Sequence, residues 1–200
     1  MSEQNIDINE IYRPPVAAGN QAKAERALSA PFYIVSTTKF LLLFVATLGI
    51  YQLVWFYKHW REYAPYGRKA ISPFWRAIFA IFFTHALFRA FEEHGNYSGR
   101  PSAWSPQGMA TLFVGLTIVA RIADRVSTSS AELGAEDLAA FILTLSTGVP
   151  LVVAQRACNT ACGDPEGKTN SRLTLLNWVF VCVGGLFWFL VIGSFLVPVQ

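Results

Sequence analysis

The chain has 200 residues, 53% of them hydrophobic and only 14% charged, with a mean hydropathy of +0.36; ordinary soluble domains carry about 25% charged residues. Burying that much apolar surface requires lipid, and a net charge of +3, spread over many short connecting segments with no long basic tract, argues against nucleic-acid binding. Cys158, Cys162 and Cys182 make no disulfide framework.

Residues 1–31 read as a flexible polar tail. Arg13-Pro14-Pro15 and the mixed-charge stretch Gln21–Arg26 offer little to bury. No apolar core follows a basic start, so no cleavable secretory signal is expected. Residues 32–200 form the second unit, a transmembrane helical domain. Its first candidate span is the uncharged run Phe40–Tyr57, whose length of about 27 Å as a helix falls slightly short of a hydrocarbon core of about 30 Å. Lys39 and Lys58 flank it and can snorkel. Gly49 in its middle permits a close helix contact or a bend, and Gln52 is its one strongly polar side chain. Tyr51, Trp55, Tyr57, Trp60 and Tyr63 read as an interfacial aromatic belt.

Ser72-Pro73 signals a helix start. The helix that follows carries Arg76 and Arg89 with only twelve residues between them, about 18 Å, and His85 in the interval. Either it crosses, with the two arginines snorkelling in opposite directions, or it lies in the interface. Crossing is favoured. Glu92–Gln107, dense in Gly, Pro, Ser and Asn, is a connecting loop. The next span covers Gly108–Ala123, and Arg121 and Asp124 at its end are spaced to pair on one helix face. After a polar turn at Ser127–Ser130, Glu132, Glu136 and Asp137, the fourth span, Leu138–Ala154, holds Thr144, Ser146, Thr147, Gly148 and Pro150 in its second half and predicts a kink near Pro150. The loop Cys158–Arg172 leads to Leu173–Gln200, 28 residues without a Lys, Arg, Asp or Glu. Asn177, the Gly184-Gly185 pair and Gly193 lie in this last span, and small residues of this kind let another helix approach closely.

The fold class is therefore all-α, a polytopic transmembrane bundle of four or five spanning helices. Its orientation is not decided by charge: five crossings divide the Lys and Arg nine against seven, and four crossings ten against six, with a 38-residue tail sent outward. Polar groups at membrane depth are the default site candidates because they are costly there, which singles out Gln52, His85, Arg121, Asp124 and Asn177. For His85 the plainer expectation is a hydrogen-bonded interfacial histidine. Arg121 and Asp124 read as an interfacial anchor. Cys158 and Cys162, four apart with no His or third thiol close in sequence, read as soft packing residues and not as a metal site. Glu92-Glu93-His94 does not have the spacing of a zinc-binding helix, and no phosphate loop, nucleophile elbow or paired carboxylate appears. No enzyme activity, cofactor or metal is expected.

Thr47–Tyr51 (TLGIY) and Trp55–Tyr57 (WFY), followed by a basic, aromatic exit, resemble a group of small uncharacterised multi-pass inner-membrane proteins of Gram-negative bacteria. Ser72–Arg76, the stretch from Pro150 through Gln155-Arg156 to Asn159, and Asn177-Trp178 are similar to that group as well. The resemblance covers residues 32–195 and implies a bacterial inner-membrane location without an activity. The expected role is a non-catalytic accessory or interaction protein of the bacterial envelope, with membrane lipid and another membrane protein or a second copy of the chain as partners. The alternative is a small transporter or channel, which would need Gln52, His85, Thr144, Ser146 and Asn177 to converge on one water-lined path.

Overall fold

A computed structural model describes residues 31–66, 72–127 and 135–196. The expected polar tail up to residue 30, residues 67–71, residues 128–134 of the expected polar turn and the last four residues lie outside them; Glu136 and Asp137, expected in that turn, instead open the helix Ala135–Ser146. Every regular element among the described residues is helical: α1 (Thr37–Ala46), α2 (Tyr51–Tyr63), α3 (Pro73–Ile78), α4 (Ala80–Tyr97), α5 (Pro106–Ser127), α6 (Ala135–Ser146), α7 (Gly148–Ala161) and α8 (Leu175–Leu196), with single 3-10 turns at Ala64–Tyr66 and Lys168–Asn170. Three stretches are long and apolar enough to cross a membrane: Pro106–Arg125, Glu136–Ala161 and Leu175–Gly193.

The run Phe40–Tyr57 is not a continuous span. The chain turns at Thr47–Ile50, where Leu48 and Gly49 take positive φ values of 49° and 81°, a region glycine enters freely and leucine rarely. The Phe40 ring lies 6.0 Å from the Trp55 ring, a separation of roughly 22 Å along an unbroken helix. The backbone groups released by the turn are met locally. Thr47 Oγ1 donates to the Leu43 carbonyl and accepts from Tyr51 N–H at 2.9 Å, Gly49 N–H donates to the Phe44 carbonyl, and Trp188 Nε1–H of α8 donates to the Val45 carbonyl at 2.9 Å. Irregular backbone is tolerated in a nonpolar environment when protein satisfies it in this way.

The helix expected after Pro73 is also broken, at Phe79, into α3 and α4. Pro73 opens it as expected, although the Ser72 side chain makes no capping bond. Arg76 lies over the Trp60 ring at 4.3 Å and the Phe83 ring at 5.0 Å, so cation–π contact holds it against α2. The kink expected near Pro150 falls at Thr147, between α6 and α7. Proline has no N–H to offer the carbonyl one turn back at Ser146, which explains a break there.

α7 is the central helix, burying Leu151, Ala154, Gln155, Ala157, Cys158 and Asn159. Phe44 of α1 packs onto Gly148, where an added Cβ would come within 2.8 Å of the ring. At the other end of α7, Ser98 donates to the Ala161 carbonyl and brings the end of α4 alongside. α8 attaches to α1 at Gly184, where a side chain would run into the Ala46 carbonyl.

Candidate functional site

The most organised polar structure is built on α7. The non-helical segment before α1 presents three successive carbonyls, and each accepts from an amide side chain. Gln155 Nε2 donates to Tyr33 O (3.2 Å), Asn170 Nδ2 to Ile34 O (2.8 Å) and Asn159 Nδ2 to Val35 O (2.9 Å). With its nitrogen committed to Val35, Asn159 turns Oδ1 toward Gln155 and accepts from Nε2 at 2.7 Å. Gln155 Oε1 must then face the other way, where it meets Trp55 Nε1–H at 2.5 Å and His59 Nε2 at 3.1 Å.

An amide oxygen only accepts, so this chain of pairings assigns the His59 proton to Nε2. Nδ1 is left as a buried acceptor without a hydrogen-bond partner. His59 is fully buried, ringed by Phe32, Tyr33, Trp55 and Phe91. Burial pushes its pKa down to about 3 against the smaller opposing effect of the Gln155 hydrogen bond, which keeps the ring neutral at pH 7. Every amide atom of Gln155 and Asn159 is engaged in holding segment, α2 and α7 together, so the amides act as a lock, and the one unpaired acceptor, His59 Nδ1, is fully buried.

A second polar feature is open. A cavity of about 470 Å³ lies between α1, α2 and the start of α8. Lys39 forms part of its floor at only 6% exposure, and its Nζ donates to Asn170 Oδ1 and to the Arg172 carbonyl, each at 2.7 Å. Lys58 enters from α2, donates to Tyr33 Oη at 3.2 Å and lies 4.4 Å from the centre of the Tyr33 ring. Tyr33 Oη is 3.5 Å from Tyr51 Oη. The remaining wall is largely apolar, from Leu43, Ile50, Val54, Leu176 and Phe180, with Thr47, Thr174 and Asn177 among them.

The site residues expected from sequence do not come together. Asn177 lines this cavity; Gln52, His85, Thr144 and Ser146 do not. His85 is exposed and pairs with Thr111 Oγ1 at 3.2 Å, so it ties α4 to α5 at the surface. Gln52 is half-buried with its Oε1 unpaired. Arg121 and Asp124 are both exposed, and no ion pair joins them; Arg121 instead shares a shallow depression with Arg125. Cys158 is buried in the core as expected for a packing residue. Cys162, just past the end of α7, gains a neighbour that its place in sequence did not reveal: a hydrogen bond from Cys158 foremost, with His94 adding to it, lowers its pKa. No group of three or more His, Cys, Asp or Glu that could hold a metal occurs among the described residues.

Tyr33, Lys39, Lys58 and Asn170 were not legible as a site. The signal that could have found them was the set of long-range amides, Gln155, Asn159 and Asn170, following an otherwise apolar span. No curated protein and no solved structure matches the chain. Residues 35–128, from α1 through α5, match the family model described as Domain of unknown function (DUF4234).

Proposed function

We propose that this is a multi-pass protein of the bacterial inner membrane that acts without catalysis, as an accessory or interaction protein of the envelope. The observation that carries this reading is the way polar groups are used. The buried amides and Trp55 are spent on one another and on backbone carbonyls, and His85, Gln52 and Asn177 lie apart with no shared path. A conduction route would need such groups to line one continuous channel. The resemblance to small inner-membrane proteins supports the location.

The same reading gives a topology with three crossings. α5, the broken helix α6–α7, and α8 span, while α1–α2 and α3–α4 enter and return on one side. Phe32 touches Tyr63 and His94, Ser98 bonds Ala161 and Lys39 bonds Arg172, which supports placing all of these at one end. From Thr174 to the α1 contact at Gly184 is about 15 Å of helix, half of a hydrocarbon core of about 30 Å, so the Thr47–Ile50 turn sits near mid-membrane. Lys58, Arg61, Arg100, Arg156, Lys168 and Arg172 then gather at one end against Arg121 and Arg125 at the other. The positive-inside bias puts the Arg100 end in the cytosol.

Reconstitution into sealed vesicles tests the non-transporting reading. Ion and solute release should match protein-free vesicles. Protein-dependent flux that Asn177→Leu or Gln52→Leu abolishes would overturn it in favour of transport.

A further inference from the structure

We infer that the cavity between α1, α2 and α8 is a binding site for an anionic phospholipid, with the phosphate against Lys39 and Lys58 and an acyl chain along Leu43, Val54 and Phe180. The inference is independent of the accessory role and rests on the cavity and on the membrane association of the apolar helices.

Charge comes first. Two ammonium groups line one cavity, and no Asp or Glu lines it. Neither lysine takes part in the ion pairs found among the described residues, Arg61–Glu62 and Lys168–Glu166. Lys39 is nine-tenths buried, and a buried cation without a counter-charge is costly unless it is well hydrogen-bonded. Its two bonds, to Asn170 Oδ1 and the Arg172 carbonyl, fix the ammonium in place and leave its third N–H for a ligand. Lys58 is steered toward the same space by the Tyr33 hydroxyl and ring. An acidic head is the ligand that completes both.

Shape and position come second. The volume of about 470 Å³ lies within the roughly 300–1,000 Å³ usual for small-ligand sites. Ile50, Val54, Leu176 and Phe180 are exposed at the opening, so the cavity is entered across an apolar rim. A free inorganic anion gains nothing from such a rim, whereas an acyl chain does. Lys39, Asn170 and Thr174 stand where the polar loop ends and the uncharged α8 begins. In a membrane that is the headgroup level, where cationic side chains attract acidic lipids.

The test uses the full chain in phosphatidylcholine nanodiscs, titrated with phosphatidylglycerol of the same acyl chains, with more phosphatidylcholine, or with inorganic phosphate, and read by thermal unfolding and by lipid retained in native mass spectra. Phosphatidylglycerol should raise the unfolding temperature and be retained, and the other two should not. Lys58→Gln should weaken retention roughly tenfold, the scale of one charge-assisted contact. Val54→Trp, which narrows the opening without altering charge, should also reduce it. Lys168→Gln, outside the cavity, should leave it unchanged. Lys39→Gln also removes bonds to Asn170 and Arg172, so Lys58 and Val54 carry the decision. An equal response to phosphatidylcholine, a full response to phosphate alone, or retention unaltered in both Lys58→Gln and Val54→Trp would each overturn the inference.

Discussion

Gln155 is the residue on which the interior turns. Its amide serves two donors and two acceptors from the N-terminal segment, α2 and α7, and leucine in its place would strand all four. Each abandoned buried group costs about 1–3 kcal/mol, so Gln155→Leu should lower stability by about 3 kcal/mol or more, seen as a fall in unfolding temperature and in membrane accumulation. His59 makes a pH-dependent contribution. It lies outside the three candidate spans, and its pKa falls from 6.5 in the open chain to about 3 in the fold. The unfolded state therefore binds the proton first as pH drops. The stability is fully present above 6.5 and is lost toward pH 3, at up to about 1.4 kcal/mol per pH unit. Thermal unfolding followed from pH 7.5 to 4.5 should show this loss, and His59→Phe should flatten that part of the profile. The interior was not legible at this scale: Tyr51, Trp55 and Trp60, which read as an interfacial belt, are buried in the core, and Gln155 and Trp55 are a hundred residues apart, with no local pattern to announce such a pair.

At the scale of elements, α8 shows how a uniform apolar run conceals its contacts. Small residues were expected to mark a packed face, and Gly184 does so, because only a bare Cα lets the Ala46 carbonyl approach. Gly185 and Gly193, expected to share that face, have open space where a Cβ would stand. Neighbouring helical positions point about 100° apart, so one residue decides the difference. Gly184→Leu should cost about 1–3 kcal/mol through overpacking and detach α8 from α1, lowering accumulation, whereas Gly185→Leu should be tolerated. A result in which both behave alike would contradict the Ala46 contact. The break within Phe40–Tyr57 has a comparable origin. Gly49 left both a close helix contact and a bend open, hydropathy along the run is continuous, and the reversal depends on Thr47 and Trp188 meeting the freed carbonyls.

For the whole molecule, the central prediction concerns topology. Cysteines introduced at Glu62, Arg100 and Lys168 should be labelled from the same side of the membrane, because in the proposed topology the helix beginning at Pro73 returns and does not cross. Labelling of Glu62 and Arg100 from opposite sides would restore a crossing there and remove the charge asymmetry between the two ends.

Sequence alone determined the solvent and the class: few charges and long uncharged runs make an all-helical membrane protein because the backbone must satisfy itself where water is absent. It also placed the starts and breaks that proline and glycine dictate locally, at Pro73 and near Pro150. Tertiary structure decided which of those runs are continuous, which glycine is packed, and that Lys39 and Lys58 face one cavity. These depend on contacts between residues as much as 143 positions apart, and hydrophobic periodicity, which reports only whether a side chain prefers lipid or water, carries no record of them.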